Sequence, residues 1–253
     1  MTDFIVFSVA KNRYAVSIEH IIRIVHGENL TQVPTSHKYI DGIMSYEDSI
    51  VKVLNFRKLI EMKSYEVELV ELFRRLKKEH IDWLDALEDS LLRGVEFTKT
   101  VNPHHCELGK WIDNFTSYDD DIAILLNQLS DYHKQLHIKG GELLDISVQD
   151  KQKAKMLFET EMQNTYKHTL GIIDSFMSQM DKVSNSLQKL LIYESKEKIF
   201  AIKVDAIDDI AHVDASQIMD TDDESSSEFL EFSGVLDLNG VLINVISELR
   251  LPK

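Results

Sequence analysis

The sequence predicts an α+β protein with more than one domain, in which a helical segment separates two β-rich segments. Three observations predict this architecture: β-branched runs near both ends, helical apolar spacing in the middle, and a weak repeat between the two β portions. With 253 residues, the chain is long enough for two ordinary domains. We expect β portions at residues 1–62 and 187–253 and an all-helical domain at residues 63–186.

The first β portion opens with a predicted hairpin. Residues 4–9 and 14–18 are rich in Val, Ile and aromatic side chains, and they flank a polar turn predicted at residues 11–13. A further β-branched run at residues 50–54 predicts another strand.

The middle of the chain changes to a helical period. From about residue 65 to residue 186, apolar side chains recur at steps of three and four residues, which is the pattern of amphipathic helices. The positions that carry this pattern include Leu69, Leu72, Phe73, Leu76, Leu125, Leu129, Leu136, Met162, Tyr166, Leu170 and Ile173. We therefore expect a bundle of amphipathic helices in this region.

Strand patterns return in the last part of the chain. Apolar runs occupy residues 190–193, 199–204 and 240–246. The Asn239-Gly240 pair in front of the last run is typical of a tight hairpin.

The two β portions also resemble each other. Residues 14–21 align with residues 200–207, each with an aromatic-Ala-aliphatic strand, and a later Gly-aliphatic hairpin occurs in both portions. We interpret this repeat as a duplicated β unit whose halves are separated by the helices. Neither half is then a complete domain alone.

Composition argues against several classes of function. The formal net charge of −15 disfavours binding to a nucleic-acid backbone or an anionic membrane surface, because both need clustered cations. No apolar run approaches the roughly 20 residues of a membrane span, and the first residues lack the layout of a signal peptide. A single cysteine cannot form an internal disulfide. We therefore expect a cytoplasmic protein that does not insert into a membrane.

One cysteine and three histidines of the helical segment predict a metal site. Cys106, His80 and the pair His133 and His137 combine a thiol with imidazoles, which is a donor set suited to tetrahedral zinc. The four-residue step between His133 and His137 stacks both rings on one helical face, where both can reach one ion.

The surroundings of the cysteine give a second expectation and an alternative. Cys106 follows Asn102-Pro103, a helix-start signal, so its thiol is expected near a helix N-terminus. The helix dipole and the metal would together lower the pKa of the thiol and favour the thiolate. His104 and His105 are alternative ligands, since either could replace His80.

Trp83, Gly109 and Trp111 are expected to pack around the site. His80 lies three residues before Trp83 on the apolar side of its helix, so its ring is expected to point inward. Gly109 allows close approach of the backbone, and Trp111 is expected to cover the site. The competing interpretation is that these are unrelated helix residues and that Cys106 is a small buried hydrophobe.

A zinc hydrolase is a disfavoured alternative. His133 and His137 have the spacing of an HExxH motif, but Lys134 stands where the general-base glutamate belongs. Four protein ligands also leave no open position for a catalytic water. We therefore expect no enzymatic activity.

These helical residues resemble the chemoreceptor zinc-binding (CZB) domain. Its pattern stands in this chain as His80-Ile-Asp-Trp83, Cys106-Glu-Leu-Gly109-Lys-Trp111 and His133 to His137. The resemblance covers roughly residues 65–186, and it implies that the cysteine and the three histidines bind Zn²⁺. It also implies a helical bundle that often forms a homodimer.

The β portions resemble CheW, the coupling protein that joins chemoreceptors to the histidine kinase CheA. The matching residues are Phe4-Ile-Val-Phe7, Tyr14-Ala-Val16, Val33-Pro34, Gly42-Ile43, Phe200-Ala-Ile-Lys-Val-Asp205 and Gly234-Val235. The resemblance implies a CheW-like fold of two small intertwined β-barrels, here split by the inserted helical bundle.

One position departs from the CheW pattern. Where the family has an arginine associated with receptor and kinase contact, this chain has Glu47. A reversal of charge at an interface changes the choice of partner more than the fold. The partner interface is therefore expected to differ from that of an ordinary coupling protein.

The combined resemblances predict a non-enzymatic chemotaxis adaptor. We expect it to sense zinc or an oxidant through a zinc-thiolate site at Cys106 and to modulate the assembly of chemoreceptor cytoplasmic domains with a CheA-type kinase. Two alternatives stay open: an array adaptor whose zinc is purely stabilising, and a CheW-like competitor that binds a different partner. The sequence does not separate zinc from oxidant as the stimulus.

Overall fold

The computed structural model describes residues 2–27, 30–34, 37–117, 119–196, 198–220 and 227–252. The chain divides into two compact units, a β unit of Met1–Tyr65 with Ser184–Lys253 and a helical unit of Glu66–Val183. The fold is therefore of the α+β class, with a central helical region between β-rich ends.

Strands of the β unit come from both ends of the chain. The first portion supplies β1 (Thr2–Val9), β2 (Asn12–Ser17), β3 (Ile21–His26), β4 (Ile40–Tyr46) and β5 (Ser49–Asn55), followed by the short helix α1 (Phe56–Leu59). The second portion supplies β6 (Lys189–Ser195), β7 (Lys198–Val204), β8 (Ala206–Val213), β9 (Ile218–Met219), β10 (Leu230–Leu238) and β11 (Val241–Leu249). Each strand predicted from the sequence overlaps one of these elements.

The strands form two mixed sheets, each with members from both portions. One sheet has the order β8-β1-β2-β11-β10-β9, and the other has the order β3-β6-β7-β5-β4. The strands β2 and β11 pair in parallel, as do β5 and β7, whereas the hairpin pairs are antiparallel. Neither chain portion could form these sheets alone.

Two turns test the hairpin predictions. Asn239 and Gly240 connect β10 to β11 with φ angles of +56° and +82°, which are the left-handed values that an Asn-Gly hairpin turn requires. The turn between β1 and β2 lies at Ala10 and Lys11, earlier than the predicted residues 11–13. Ala10 has a φ of +54° there, and its amide donates to Asp205 Oδ2 at 2.7 Å, a contact that local sequence does not reveal.

A buried polar network lies beside the apolar core of the β unit. The carboxylate of Asp41 accepts from Lys203 Nζ at 3.0 Å and from Asn55 Nδ2 at 2.8 Å, and it pairs with Lys58 Nζ at 2.7 Å. Burial alone would raise the pKa of Asp41, but the attraction and hydrogen bonds of Lys203 and Lys58 lower it below its ordinary value.

This depressed pKa predicts a pH-dependent stability. Because the pKa of Asp41 is lower in the folded chain than in the unfolded chain, ionised Asp41 stabilises the fold above the ordinary carboxyl pKa. That stabilisation is lost as the pH falls through the folded value. We expect Asp41→Asn to lower the free energy of unfolding by about 1–3 kcal/mol at neutral pH, with a smaller deficit below about pH 4. Urea unfolding across this range measures it, and a deficit independent of pH would contradict it.

The helical unit is built from long amphipathic helices, as the apolar spacing predicts. The helices of this region, the first and last of which extend beyond the bounds of the unit, are α2 (Tyr65–Arg93), α3 (Glu107–Asn114), α4 (Asp120–Gln149), α5 (Lys151–Leu157), a π-helical turn (Phe158–Met162), α6 (Gln163–Met177) and α7 (Met180–Leu187). In the part of the chain that the structure describes, none of the helices combines the length and hydropathy needed to cross a bilayer.

Candidate metal centre

Three elements of the helical unit bring the four predicted donors together. His80 lies on α2, Cys106 is the N-cap residue of α3, and His133 and His137 lie one turn apart on α4. All three histidines are buried, whereas Cys106 is partly exposed. Each residue offers one ligand atom, and these four atoms lie within 4.8 Å of one another.

The distances at the sulfur suit a small tetrahedral ion. Cys106 Sγ lies 3.0 Å from His133 Nε2 and 3.8 Å from His80 Nε2. Zinc with a Zn–S bond of about 2.3 Å and Zn–N bonds of about 2.0–2.1 Å would hold sulfur and nitrogen roughly 3.5 Å apart. The observed distances lie on both sides of that value, so the donors fit one zinc ion with small side-chain adjustments.

A backbone carbonyl fixes the tautomer of His80. Its Nδ1 lies 2.8 Å from the carbonyl oxygen of Leu76, one turn earlier on α2. A carbonyl oxygen only accepts, so Nδ1 must carry the proton and Nε2 presents its lone pair toward Cys106. Ligating histidines in metal sites are commonly held in this way.

His137 makes no hydrogen bond of ordinary geometry with the described residues. Its side chain is 0% exposed, and neither Nδ1 nor Nε2 has a hydrogen-bond partner among the described residues. Burial, followed by the proximity of His80, lowers the pKa of His137 to about 4, and the backbone of Thr100 acts in the opposite direction. An unpaired buried imidazole is costly unless something else satisfies it, and a metal ion would do so.

His133 is also held in its neutral form. Burial, followed by the neighbouring His80 and His137, lowers the pKa of His133 to about 2. Burial lowers the pKa of His80 as well. With these lowered pKa values the three imidazoles are uncharged at neutral pH, each with one N–H proton and one free lone pair, and this is the form that binds a metal.

Cys106 occupies the predicted helix start, where burial and the helix amides act on its thiol in opposite directions. Its Sγ accepts from the amide of Gly109 at 3.2 Å, as an N-cap side chain does. Burial nevertheless raises the pKa of the Cys106 thiol and outweighs the nearby amides. The amides at the helix start therefore act in the expected direction, and the combined effect of the helix terminus and a bound metal on the thiolate stays a prediction.

Two glycines permit the close packing around the donors. A Cβ on Gly109 would lie 1.7 Å from the carbonyl oxygen of Pro103 and 3.2 Å from Cε1 of His133. A Cβ on Gly140 would lie 2.2 Å from the ring of Trp83, which packs 4.9 Å from the ring of His137. Gly109 was predicted from the sequence, whereas Gly140 was not, although glycine inside a helical pattern often marks close packing.

The Gly140 contact predicts an unusual sign for a glycine substitution. Alanine normally stabilises a helix interior by about 0.5–1 kcal/mol relative to glycine. Gly140→Ala should instead destabilise the protein by about 1–3 kcal/mol, because its methyl group would overlap the ring of Trp83. Gly171→Ala on α6 is the control, since no atom lies within 4 Å of that Cβ. Urea unfolding of both variants tests this, and a stabilising Gly140→Ala would contradict it.

Other residues singled out from the sequence make contacts outside this donor set. Trp111 packs with a group of aromatic rings, so its contribution is to the packing of α3; these rings are Phe73, Phe115 and Phe176. His104 donates from Nδ1 to Asp113 at 2.7 Å and is exposed. His105 is exposed as well, and the donor set contains His80 in place of either neighbour.

Glu47 lies in the β unit, in the turn between β4 and β5. It is exposed and has a φ of +50°, which suits the tight turn. The neighbouring Ile50 side chain is 73% exposed. This turn therefore presents a carboxylate and an apolar side chain to solvent.

Comparisons with known proteins match two segments of the chain. The family model of the CheW-like domain matches residues 3–75, and that of the chemoreceptor zinc-binding domain matches residues 80–144. The chain carries a CheW-like domain followed by a CZB domain. The CZB match spans all four donors, from His80 to His137.

The comparison with solved structures finds similarity at low sequence identity. The crystal structure of the scaffolding protein TtCheW from Thermoanaerobacter tengcongensis is similar over 97% of this chain and 88% of that chain, with 10% identity and a TM-score of 0.44. The comparison with curated proteins finds no significant match.

Proposed function

We propose that this protein is a chemotaxis signalling adaptor that responds to zinc or to an oxidant at its CZB domain. In this proposal His80, Cys106, His133 and His137 bind one Zn²⁺ ion, and the CheW-like domain engages chemoreceptor cytoplasmic domains, a CheA-type kinase or both. The observation that carries it is the donor set of three buried histidines and one partly exposed cysteine, whose ligand atoms lie within 4.8 Å of one another and which includes the imidazole of His137 without an ordinary hydrogen bond. A cytoplasmic location at chemoreceptor arrays follows from the same proposal.

We further propose that the CheW-like domain is split by the helical unit. Its first half is residues 1–62 and its second half is residues 187–253, and the two halves together form a double β-barrel. The CZB bundle of residues 63–186 is inserted between the halves. The sharing of both sheets between the two portions supports this arrangement. The β unit defined by contacts, Met1–Tyr65 with Ser184–Lys253, has nearly the same bounds.

The donor set favours a structural clamp over a catalytic centre. Bound zinc would supply four bonds that join α2, the start of α3 and α4. The protein's own residues prepare those bonds: the Leu76 carbonyl orients His80, and the Gly109 amide orients the sulfur of Cys106. Four protein ligands leave no open position for substrate, which supports a non-enzymatic role.

Accessibility supports Cys106 as the redox-sensing residue. It is partly exposed, whereas the three histidines are at most 2% exposed. A two-electron oxidant would transfer an oxygen atom to the sulfur, giving a sulfenic acid and the reduced oxidant. The modified sulfur is no longer a thiolate ligand, so oxidation and zinc withdrawal both release the helices.

Exposed Glu47 favours a second candidate function. A carboxylate at this turn would repel an acidic partner and attract a basic one, so the protein would compete with an ordinary coupling protein for only some partners. Glu47→Arg should then increase affinity for the chemoreceptor or kinase. Unchanged affinity in a binding titration would remove this candidate.

The proposal also includes a homodimer that forms through the CZB bundle. Ile124 and Ile138 are 56% and 54% exposed on α4, and a separation of fourteen residues puts them on one helical face. Light scattering should give twice the chain mass of 29.2 kDa, with Ile138→Lys reducing it to the monomer mass. A monomer mass for the unmodified protein would contradict the dimer.

A binding experiment with three forms of the protein tests the function. Affinities for a chemoreceptor cytoplasmic domain and for the kinase are measured with zinc-loaded, chelated and peroxide-treated protein. The proposal expects the affinity to differ between the zinc-loaded form and one or both of the others, and Cys106→Ala to abolish the response to peroxide. Equal affinities in all forms would leave zinc with a purely stabilising role, and no binding in any form would overturn the adaptor assignment.

A further inference from the structure

The chain connections that lead into and out of the helical unit both end on one buried ion pair of the β unit. Arg57 of α1 has a side chain that is 1% exposed. It donates from Nε to Asp205 Oδ1 at 2.7 Å and from Nη2 to Asp205 Oδ2 at 2.5 Å, which is a bidentate pair. The two residues are 148 positions apart, so the pair joins the first β portion to the second.

The segment that leads from α1 into α2 contacts Arg57. Arg57 Nη1 donates to the carbonyl oxygen of Lys63 at 2.8 Å. The guanidinium carbon lies 4.7 Å from the centre of the Tyr65 ring, in a cation–π contact. Tyr65 is the first residue of α2, the helix that carries His80. The start of this helix is therefore held by the ion pair.

The segment that leads from α7 into β6 is hydrogen-bonded to Asp205. Gln188, the residue after the end of α7, is 3% exposed and donates from Nε2 to Asp205 Oδ1 at 3.2 Å. Its backbone carbonyl accepts from the amide of Gly27 at 3.0 Å. A Cβ on Gly27 would lie 2.7 Å from the carbonyl oxygen of Asn185, so this end of the connection packs tightly.

The hydrogen bonding of the Arg57–Asp205 pair depends on the positions of both chain connections. The Asp205 carboxylate accepts two bonds from Arg57, one from Gln188 and one from the amide of Ala10 at 2.7 Å. A buried ion pair is favourable only when its remaining hydrogen bonds are satisfied, because each buried charge has lost its water. Movement of one partner therefore changes the hydrogen bonding of the others.

We propose that Arg57, Asp205, Tyr65 and Gln188 form a coupling junction that transmits changes in the metal site to the β unit. This inference rests on the proposed function, since it assigns the route by which zinc release alters the CheW-like domain. The cation–π contact of Arg57 with Tyr65 and the hydrogen bond from Gln188 to Asp205 link the start of α2 and the residue after α7 to the β unit. A shift of either end would then change the hydrogen bond that the Ala10 amide, in the turn between β1 and β2, donates to Asp205.

Amide hydrogen exchange of the full-length protein, followed by NMR with and without zinc, tests the junction. The Ala10 amide reports on Asp205, and the Gly27 amide reports on Gln188. The Gly240 amide is the matched control, because it also donates to a carboxylate, that of Asp237 at 2.7 Å, but outside the junction. Zinc removal should speed exchange at Ala10 and Gly27 roughly tenfold and leave Gly240 unchanged.

Two variants separate the junction from a general loosening of the fold. Tyr65→Leu removes the aromatic ring, whereas Tyr65→Phe keeps the ring face and is its control. Gln188→Met removes the bond to Asp205 at similar volume. Tyr65→Leu and Gln188→Met should abolish the zinc response at Ala10 while amides of α4 still respond, and Tyr65→Phe should preserve it.

The outcomes distinguish this inference from the proposed function. Zinc-dependent exchange in α4 without a change at Ala10 or Gly27 would overturn the junction and leave the metal site in place. A response at Ala10 that survives in both Tyr65→Leu and Gln188→Met would also overturn it. No zinc dependence anywhere, α4 included, would overturn the proposed function and the junction together.

Discussion

His137→Leu should have opposite effects on the metal-free and the zinc-loaded protein. His137 is fully buried, and neither ring nitrogen makes a hydrogen bond of ordinary geometry with the described residues, so in chelator its replacement by an apolar side chain should remove a desolvation cost of about 1–3 kcal/mol. With zinc, the same change removes a ligand. The variant should therefore be as stable as the parent chain or more stable in chelator, and it should fail to gain stability from added zinc.

Thermal and urea unfolding with and without zinc measure this inversion. His168→Leu is the matched control, because His168 lies on α6 as an exposed ring stacked on Tyr132 and should leave the zinc response unchanged. Equal destabilisation of His137→Leu in both conditions would mean that His137 is an ordinary core residue. That result would contradict the assignment of His137 as a ligand.

Gly109→Ala should disrupt the site without removing a donor. The added methyl group would lie 1.7 Å from the Pro103 carbonyl oxygen, so the start of α3 must move. This movement displaces Cys106, whose sulfur accepts from the Gly109 amide at 3.2 Å, and the methyl group also approaches the ring of His133. We expect zinc affinity to fall by about 10–100-fold, in the range seen for residues that orient metal ligands.

Competition with a colorimetric chelator measures that affinity. Gly141→Ala on α4 is the control, because its Cβ would lie 3.7 Å or more from the Val101 side chain, an ordinary contact. It should leave zinc affinity unchanged and slightly stabilise the helix. An unaltered affinity in Gly109→Ala would mean that the loop before α3 adjusts freely and does not position Cys106.

Local patterns explain which parts of the site were predictable from sequence. The pair His133 and His137 could be placed on one helical face because the four-residue step is a property of the helix itself. The inward orientation of His80 followed from the apolar spacing of α2 in the same way. The strands followed from β-branched runs, and the Asn239-Gly240 turn followed from its φ requirements.

Contacts distant in sequence were not predictable. The raised pKa of Cys106 depends on burial by the assembled helices, which a helix-start motif does not report. The need for Gly140 arises from the ring of Trp83 on another helix. The pair Arg57 and Asp205 joins residues 148 positions apart, and nothing in the local sequence of either residue indicates the other.

X-ray absorption at the zinc edge of the zinc-loaded protein tests the central claim most directly. The account predicts one sulfur at about 2.3 Å and three nitrogens at about 2.0–2.1 Å, with the sulfur shell lost in Cys106→Ser. A spectrum of nitrogen and oxygen ligands without sulfur, or protein that retains no stoichiometric zinc, would contradict it.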